Sequence, residues 1–196
     1  MSRRELIDHL EAFLGPIETG WRLDESGGPL SFDVALFQRG PTADTVSFST
    51  VGLSDYSLRS SRSGKAIHHE LVIVAKKDFG ARNVPALLQQ VGMEAIQGER
   101  AYLRGDVIGP RDDLFRGTDK VALYVSAPSC FPDSFARIET ADGVIVVFAW
   151  LIPITRDEVS LVNREGWERF EDSLVASDTD LMDFNRNSIE ARAGTD

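Results

Sequence analysis

The stretch that most constrains the fold is the apolar run at residues 144–154. It is too short for a membrane helix, which needs about 20 apolar residues, so it predicts a strand buried on both faces. Asp142-Gly143 comes just before the run and favours a type I′ turn, which predicts a hairpin with residues 135–140. Thr155 and Glu158 follow with the spacing of a capping box, so a helix is expected to begin there. This central strand therefore predicts a sheet covered by helices.

The rest of the chain predicts further helices and strands of the same domain. Helices are expected at residues 2–14, where Ser2 and Glu5 form a capping box, at 84–97, at 155–165 and after Gly166. Further strands are expected at 32–38, 45–51, 67–75 and 121–127. Residues 18–29 and 58–65 are rich in breakers or polar residues and predict loops. The fold class is therefore α+β, with one domain over residues 1–196. Its mixed, largely antiparallel sheet of about six strands is covered by N-terminal, middle and C-terminal helices.

Alternation within the strands predicts which side chains face the core. Ser47 and Ser49 alternate with apolar neighbours, which predicts one wet face of that strand. In the strand at residues 67–75, His69 lies on the apolar side and is expected to be a satisfied interior histidine. Glu70 lies on the opposite side, which predicts an exposed sheet face, with partner contact or a buried salt bridge as alternatives. Pro153 lacks an N–H group and is expected to end strand pairing.

Composition limits the classes of partner and the compartment. The chain has 21 basic and 31 acidic residues, a net charge of −10, and from Thr155 onward eleven acidic residues face five basic ones. Such charge disfavours nucleic acid and anionic membranes and speeds encounter with a basic partner, although a solvated helix face explains it equally well. The one cysteine, Cys130, predicts a small buried hydrophobe in a reducing compartment. No secretory signal or membrane span is visible, so a cytoplasmic protein is expected.

The segment Gly52-Leu53-Ser54-Asp55-Tyr56 is the main candidate site. Gly52 permits a positive φ, and Ser54 and Asp55 can bond neighbouring backbone groups, so the segment predicts a turn at a strand end. As a functional alternative, Leu53, Ser54, Asp55 and Tyr56 present a mixture suited to a protein-binding hot spot. Asp106 follows Arg104-Gly105 and predicts a second turn, with partner contact as its alternative.

Catalytic and metal motifs are weak. Ser54 is not in a Gly-x-Ser-x-Gly elbow because the fifth position is Tyr56, yet a serine hydrolase using Ser54, His69 and Asp55 stays open. Three C-terminal aspartates suggest hard-cation ligands but lack the spacing and glycine of an EF-hand loop. These are Asp178, Asp180 and Asp183. No cofactor, metal or catalytic residue is therefore predicted.

Several segments, taken in order, resemble the suppressor of fused family over residues 30–190. They are Ser49-Thr50-Val51-Gly52-Leu53-Ser54-Asp55-Tyr56, His69-Glu70-Leu71-Val72-Ile73, Arg104-Gly105-Asp106-Val107-Ile108, residues 148–158 and residues 180–189. The resemblance implies a non-enzymatic binding domain. Animal members sequester Gli-type zinc-finger transcription factors by clamping a peptide between two domains, and bacterial single-domain members look like immunity proteins beside nuclease toxins. Because one domain is present, the bacterial type is favoured.

The leading expectation is a binding protein that neutralises a basic, possibly nuclease, toxin domain through Leu53, Ser54, Asp55, Tyr56, Glu70 and Asp106. One alternative is a regulatory module that binds an extended peptide on a sheet edge. The hydrolase is the other.

Overall fold

A computed structural model describes residues 3–23 and 28–189, and it contains one large sheet with helices on both faces. Ten strands join this sheet within the described residues. They are β1 (Ile17–Leu23), β2 (Pro29–Phe37), β3 (Thr45–Val51), β4 (Leu58–Ser60), β5 (Ala66–Lys76), β6 (Arg100–Ala101), β7 (Val107–Ile108), β8 (Lys120–Ser126), β9 (Arg137–Glu139) and β10 (Ile145–Thr155). The four helices are α1 (Arg3–Leu14), α2 (Val84–Gln97), α3 (Arg156–Glu165) and α4 (Trp167–Ser177).

The sheet is mixed but mostly antiparallel. Its main path runs β1-β2-β3-β5-β10-β8-β7, and only the β5–β10 contact within that path is parallel. Strand β9 pairs with the first part of β10, while β4 joins β5 to the short β6. The predicted α+β class is confirmed. The sheet is larger than the six strands predicted because several of its strands are only two or three residues long.

Strand β10 is the centre of the molecule, as its sequence predicts. Trp150 and Ile152 pack into one core cluster with α1, α3 and α4, and Ala149 and Leu151 pack into the other with α2. The predicted hairpin with β9 also forms. The expectation that Pro153 ends pairing is wrong, because Pro153 lies opposite Leu123 and pairing continues to Thr155. The Pro153 carbonyl also accepts a hydrogen bond from Arg186 Nη2 at 3.2 Å.

The helices begin and end close to their predicted limits. Helix α2 matches its prediction, and α3 begins with the predicted capping box of Thr155 and Glu158. Gly166 separates α3 from α4 as expected. The Ser2 half of the first predicted capping box lies outside the described residues. None of the helices in the described residues is long and apolar enough to cross a membrane.

Two loop predictions and one prediction of a wet face are corrected. Strand β1 occupies the first half of the predicted loop at residues 18–29, and β4 occupies the start of the loop at 58–65. Ser47 and Ser49 are fully buried. They lie on the side of β3 that faces the α1 cluster, so a helix covers the face that alternation had assigned to water. Cys130 is partly buried against this same core, and burial raises the pKa of its thiol to about 12, as a buried hydrophobe predicts.

Candidate protein-binding site

The Gly52–Tyr56 segment forms a tight turn at the end of β3. Gly52 has φ 99° in the left-handed region, and Leu53–Asp55 form a single 3-10 turn. The Asp55 and Tyr56 amides donate to the Gly52 and Leu53 carbonyls at 3.2 and 3.1 Å. A residue with a Cβ is strained at this φ, so glycine sets the direction in which the chain leaves the strand.

Glu70 holds this turn from beneath. Its carboxylate accepts from the Thr50 hydroxyl at 2.6 Å and the Gly52 amide at 2.9 Å. It also accepts from the amide and hydroxyl of Ser54, at 3.1 and 2.6 Å. The side chain is fully buried. Four donors from the turn and the end of β3 therefore converge on one acid of β5.

The surroundings of Glu70 differ from the exposed sheet face and from the buried salt bridge that the sequence suggested. It lies neither on an exposed face nor in a salt bridge to any described residue. Burial raises the pKa of Glu70, and the hydrogen bonds from Ser54, Thr50 and Gly52 act in the opposite direction. In the free chain Glu70 supports the turn, and its contact with a partner stays a prediction.

The turn exposes only part of the predicted contact set. Leu53 and Ser54 are buried, so in the free chain their side chains support the turn, and partner contact by them stays a prediction. The Asp55 side chain is 41% exposed. Tyr56 is half-buried and its hydroxyl donates to the Ser31 carbonyl at 3.4 Å. Asp55 and Tyr56 therefore remain as the predicted contact residues of this turn.

His68 and His69 point to opposite faces of β5, the strand that also contains Glu70, and they do not build a catalytic triad. His68 Nδ1 donates to the Ser54 carbonyl at 2.8 Å, since a carbonyl only accepts. His69 is fully buried as predicted, but neither ring nitrogen has a hydrogen-bond partner among the described residues, so the prediction that it is satisfied is wrong. Burial lowers the pKa of His69 to about 4. His69 is therefore not bonded to Ser54, and the arrangement that the hydrolase alternative requires does not form.

Asp106 belongs to a different cluster of charges. It accepts from the Leu103 amide at 3.0 Å and pairs with Arg62 and Arg100, both at 3.4 Å. Its side chain is only 12% exposed. Asp106 thus shapes its own turn, as predicted, and a partner role for it stays a prediction.

The C-terminal aspartates are used singly. Asp180 pairs with Lys76 at 2.6 Å and accepts from the Met182 amide, while Asp183 accepts from the Asn185 amide. Across residues 3–23 and 28–189, no group of three or more His, Cys, Asp or Glu side chains is placed to hold a metal ion.

Sequence reasoning missed Thr50 and Arg3. Thr50 lies in β3, and its hydroxyl binds Glu70. The signal was present in the spacing, since Thr50, Gly52 and Ser54 alternate and so place two hydroxyls beside the glycine. Arg3, in the first turn of α1, contacts Asp55 of the turn from 52 positions away along the chain, and no local pattern predicts that contact.

Comparison with known proteins identifies the family of this chain. Residues 28–187 match the family described as suppressor of fused protein (SUFU). The chain is 22% identical over 162 residues to the immunity protein YqcF of Bacillus subtilis strain 168, covering 81% of this chain and 82% of that protein.

Solved structures share the fold at low sequence identity. A SUFU homologue from Neisseria gonorrhoeae FA 1090 has a TM-score of 0.74 at 19% identity, covering 97% of this chain and 98% of that one. A chain of the Sufu–Fu complex has a TM-score of 0.68 at 16% identity, and the match covers 95% of this chain and 91% of that one. Drosophila Suppressor of Fused has a TM-score of 0.68 at 16% identity, and the match covers 94% of this chain and 50% of the Drosophila chain.

The sheet and its helices are therefore those of a SUFU-like α+β domain. The chain belongs to the suppressor of fused family, and the predicted resemblance over residues 30–190 is confirmed.

Proposed function

We propose that this chain is a cytoplasmic immunity-type protein that binds a toxin domain with a basic, possibly nuclease, surface and neutralises it. The observation that carries the proposal is the similarity to the Bacillus subtilis immunity protein along four-fifths of both chains. Family membership supports a protein-binding role.

The acid-held turn supports this role physically. Glu70 fixes the backbone from Gly52 to Ser54, so Asp55 and Tyr56 are presented without first having to be ordered. Preorganised groups bind more tightly because less conformational entropy is lost on association. A carboxylate beside an aromatic ring suits a cationic partner surface.

Charge supports the choice of a basic partner. The chain carries −10 overall. Such a field attracts a basic protein over a distance and raises its association rate. Neutralisation then needs only that the complex covers the toxin's site, so no chemical step by this chain is required.

The test is co-expression with the C-terminal domain encoded by the neighbouring gene. We expect the two proteins to co-purify as a stoichiometric complex and the cells to survive a toxin that otherwise kills them. A matched chain with Asp55→Ala and Tyr56→Ala should protect less. Failure of the folded wild-type protein to bind or protect would contradict the proposal.

Capture of an extended peptide on a sheet edge is the second candidate. Strand β1 pairs only with β2 among the described strands, so its outer edge can accept another strand. A chain of the Sufu–Fu complex has the same fold, and that complex is consistent with a protein ligand. This candidate predicts binding of isolated peptides, whereas the immunity proposal predicts binding of a folded domain.

A further inference from the structure

The first turn of α1 places an arginine over the Gly52–Tyr56 turn. Arg3 Nη1 donates to Asp33 Oδ2 at 3.2 Å, and Arg3 Nε lies 3.7 Å from Asp55 Oδ2. The arginine side chain is still 45% exposed. One guanidinium therefore bridges a carboxylate of β2 and a carboxylate of the turn while it remains in contact with water.

Gly52 forms the floor of this site. A Cβ built on Gly52 would lie 2.7 Å from Arg3 Nη2, 3.0 Å from Nε and 3.1 Å from Cζ. The 2.7 Å distance is shorter than real Cβ contacts, so the Arg3 guanidinium lies close against Gly52, and a side chain there would push this exposed, flexible group aside. The positive φ of Gly52 is the feature that requires glycine.

The walls of the site are unequal carboxylates. Asp33 is 18% exposed and receives a second arginine, Arg22, whose Nε lies 3.5 Å from the same Oδ2 atom. Asp55 is more open and has Arg3 as its ion-pair partner. Exposed ion pairs of this kind stabilise a fold very little, so replacing Arg3 by another guanidinium costs little.

From this geometry we infer that Asp33, Gly52 and Asp55 form a receptor site for an arginine side chain of the partner. In the free protein Arg3 occupies that site as a displaceable intramolecular competitor. The inference rests on the proposed function, since it names the group with which a basic partner engages the turn. Arginine is also among the residues most enriched in binding hot spots.

The site selects arginine over lysine. A guanidinium is planar and carries several N–H donors, so its Nη1 can meet Asp33 while its Nε faces Asp55. An ammonium group is a compact, strongly hydrated charge without such a plane. The occupant is therefore a guanidinium, not any positive charge.

The test is an NMR titration with N-acetyl-L-arginine amide at low salt, following the amide signals of Gly52 and Asp55. Arg3→Ala should bind the probe about two- to five-fold more tightly than the wild type, because an exposed ion pair no longer competes. Arg4→Ala is the matched control, since Arg4 is the next arginine and pairs with Asp8. It should behave as the wild type. The neutral citrulline analogue should leave both amide signals unmoved.

Three results would overturn the inference. They are equal probe affinity in Arg3→Ala and Arg4→Ala, equal shifts with the citrulline analogue, or undiminished shifts in Arg3→Ala carrying Asp55→Asn. If Arg3→Ala does not fold, Asp55→Asn alone in the wild type must reduce the probe shifts. No toxin is used, so failed co-purification beside a positive titration rejects the toxin partner and keeps the arginine site. Successful co-purification beside a negative titration keeps the toxin partner and rejects the arginine site.

Discussion

At the scale of single residues, Glu70 and His69, neighbours in β5, differ in whether their buried polar atoms are hydrogen-bonded. Glu70 satisfies four donors, whereas His69 is buried without a partner at either ring nitrogen. Alternation predicts that they face opposite sides of β5, and they do. It does not predict that both sides are buried, because that depends on helices far away in the sequence. The expectation of a surface position for Glu70 is therefore wrong. Leu53 and Ser54 are buried beneath the turn, and a partner role for them stays a prediction.

Glu70→Ala should destabilise the fold. The substitution leaves the Gly52 and Ser54 amides facing a cavity, and each buried donor without a partner costs about 1–3 kcal/mol. We expect the free energy of unfolding in urea to fall by about 3 kcal/mol or more. Glu70→Gln keeps one acceptor oxygen and should lose less. A loss below about 1 kcal/mol in the alanine variant would show that the acid does not hold the turn.

His69 should make stability depend on pH. Burial lowers its pKa to about 4, from 6.5 in the unfolded chain, so the folded state binds the proton less readily. Stability contributed by neutral His69 is complete above pH 6.5 and is lost as pH falls towards 4, by up to about 3 kcal/mol. His69→Phe should lack this part of the loss when unfolding is measured from pH 7 to 4. Parallel curves for the two proteins would refute the prediction.

At the scale of elements, a C-terminal segment is locked to the start of α3. Arg186 pairs with Glu158 at 2.5 and 3.1 Å, and the Ile189 amide donates to the same carboxylate at 3.1 Å. Glu158 also closes the capping box with Thr155. The capping box was predictable from local spacing. The partnership with Arg186 was not, since 28 positions separate the two residues.

Arg186→Met should therefore destabilise the protein strongly. It leaves the fully buried Glu158 charge without its counter-ion, a loss of about 3–5 kcal/mol in comparable buried pairs. Adding Glu158→Gln removes that charge but keeps a side chain able to cap α3, so the double variant should recover much of the loss. Calorimetric or denaturant unfolding of the three proteins measures this. Additive losses would contradict the role assigned to the pair.

The other elements could be predicted where neighbouring residues in the sequence determine the structure, and not where distant residues do. Helix α2 has Pro85 in its first turn and an apolar stripe, so its limits followed from sequence. Strand β1 contains Gly20 and only a weak apolar pattern, and it is a strand because β2 offers it an edge. Ser47 and Ser49 are buried because α1 covers them. Tertiary contact decided the elements that local pattern did not.

At the scale of the whole molecule, net charge should control how fast the partner arrives. With −10 on this chain and a basic partner, the association rate should fall on the order of tenfold from low to high salt, while the dissociation rate changes less. Stopped-flow or surface-binding kinetics at several ionic strengths measure both rates. An association rate indifferent to salt would remove the electrostatic part of the account.

The most direct test of the central claim, that this chain binds a protein through the turn held by Glu70, is the affinity of a purified toxin domain for three proteins. These are the wild type, the chain with Asp55→Ala and Tyr56→Ala, and a control with Asp113→Ala, an exposed acid on another loop. We predict at least about tenfold weaker binding for the turn variant alone, with its thermal stability nearly unchanged. Wild-type affinity in a folded turn variant would contradict the account.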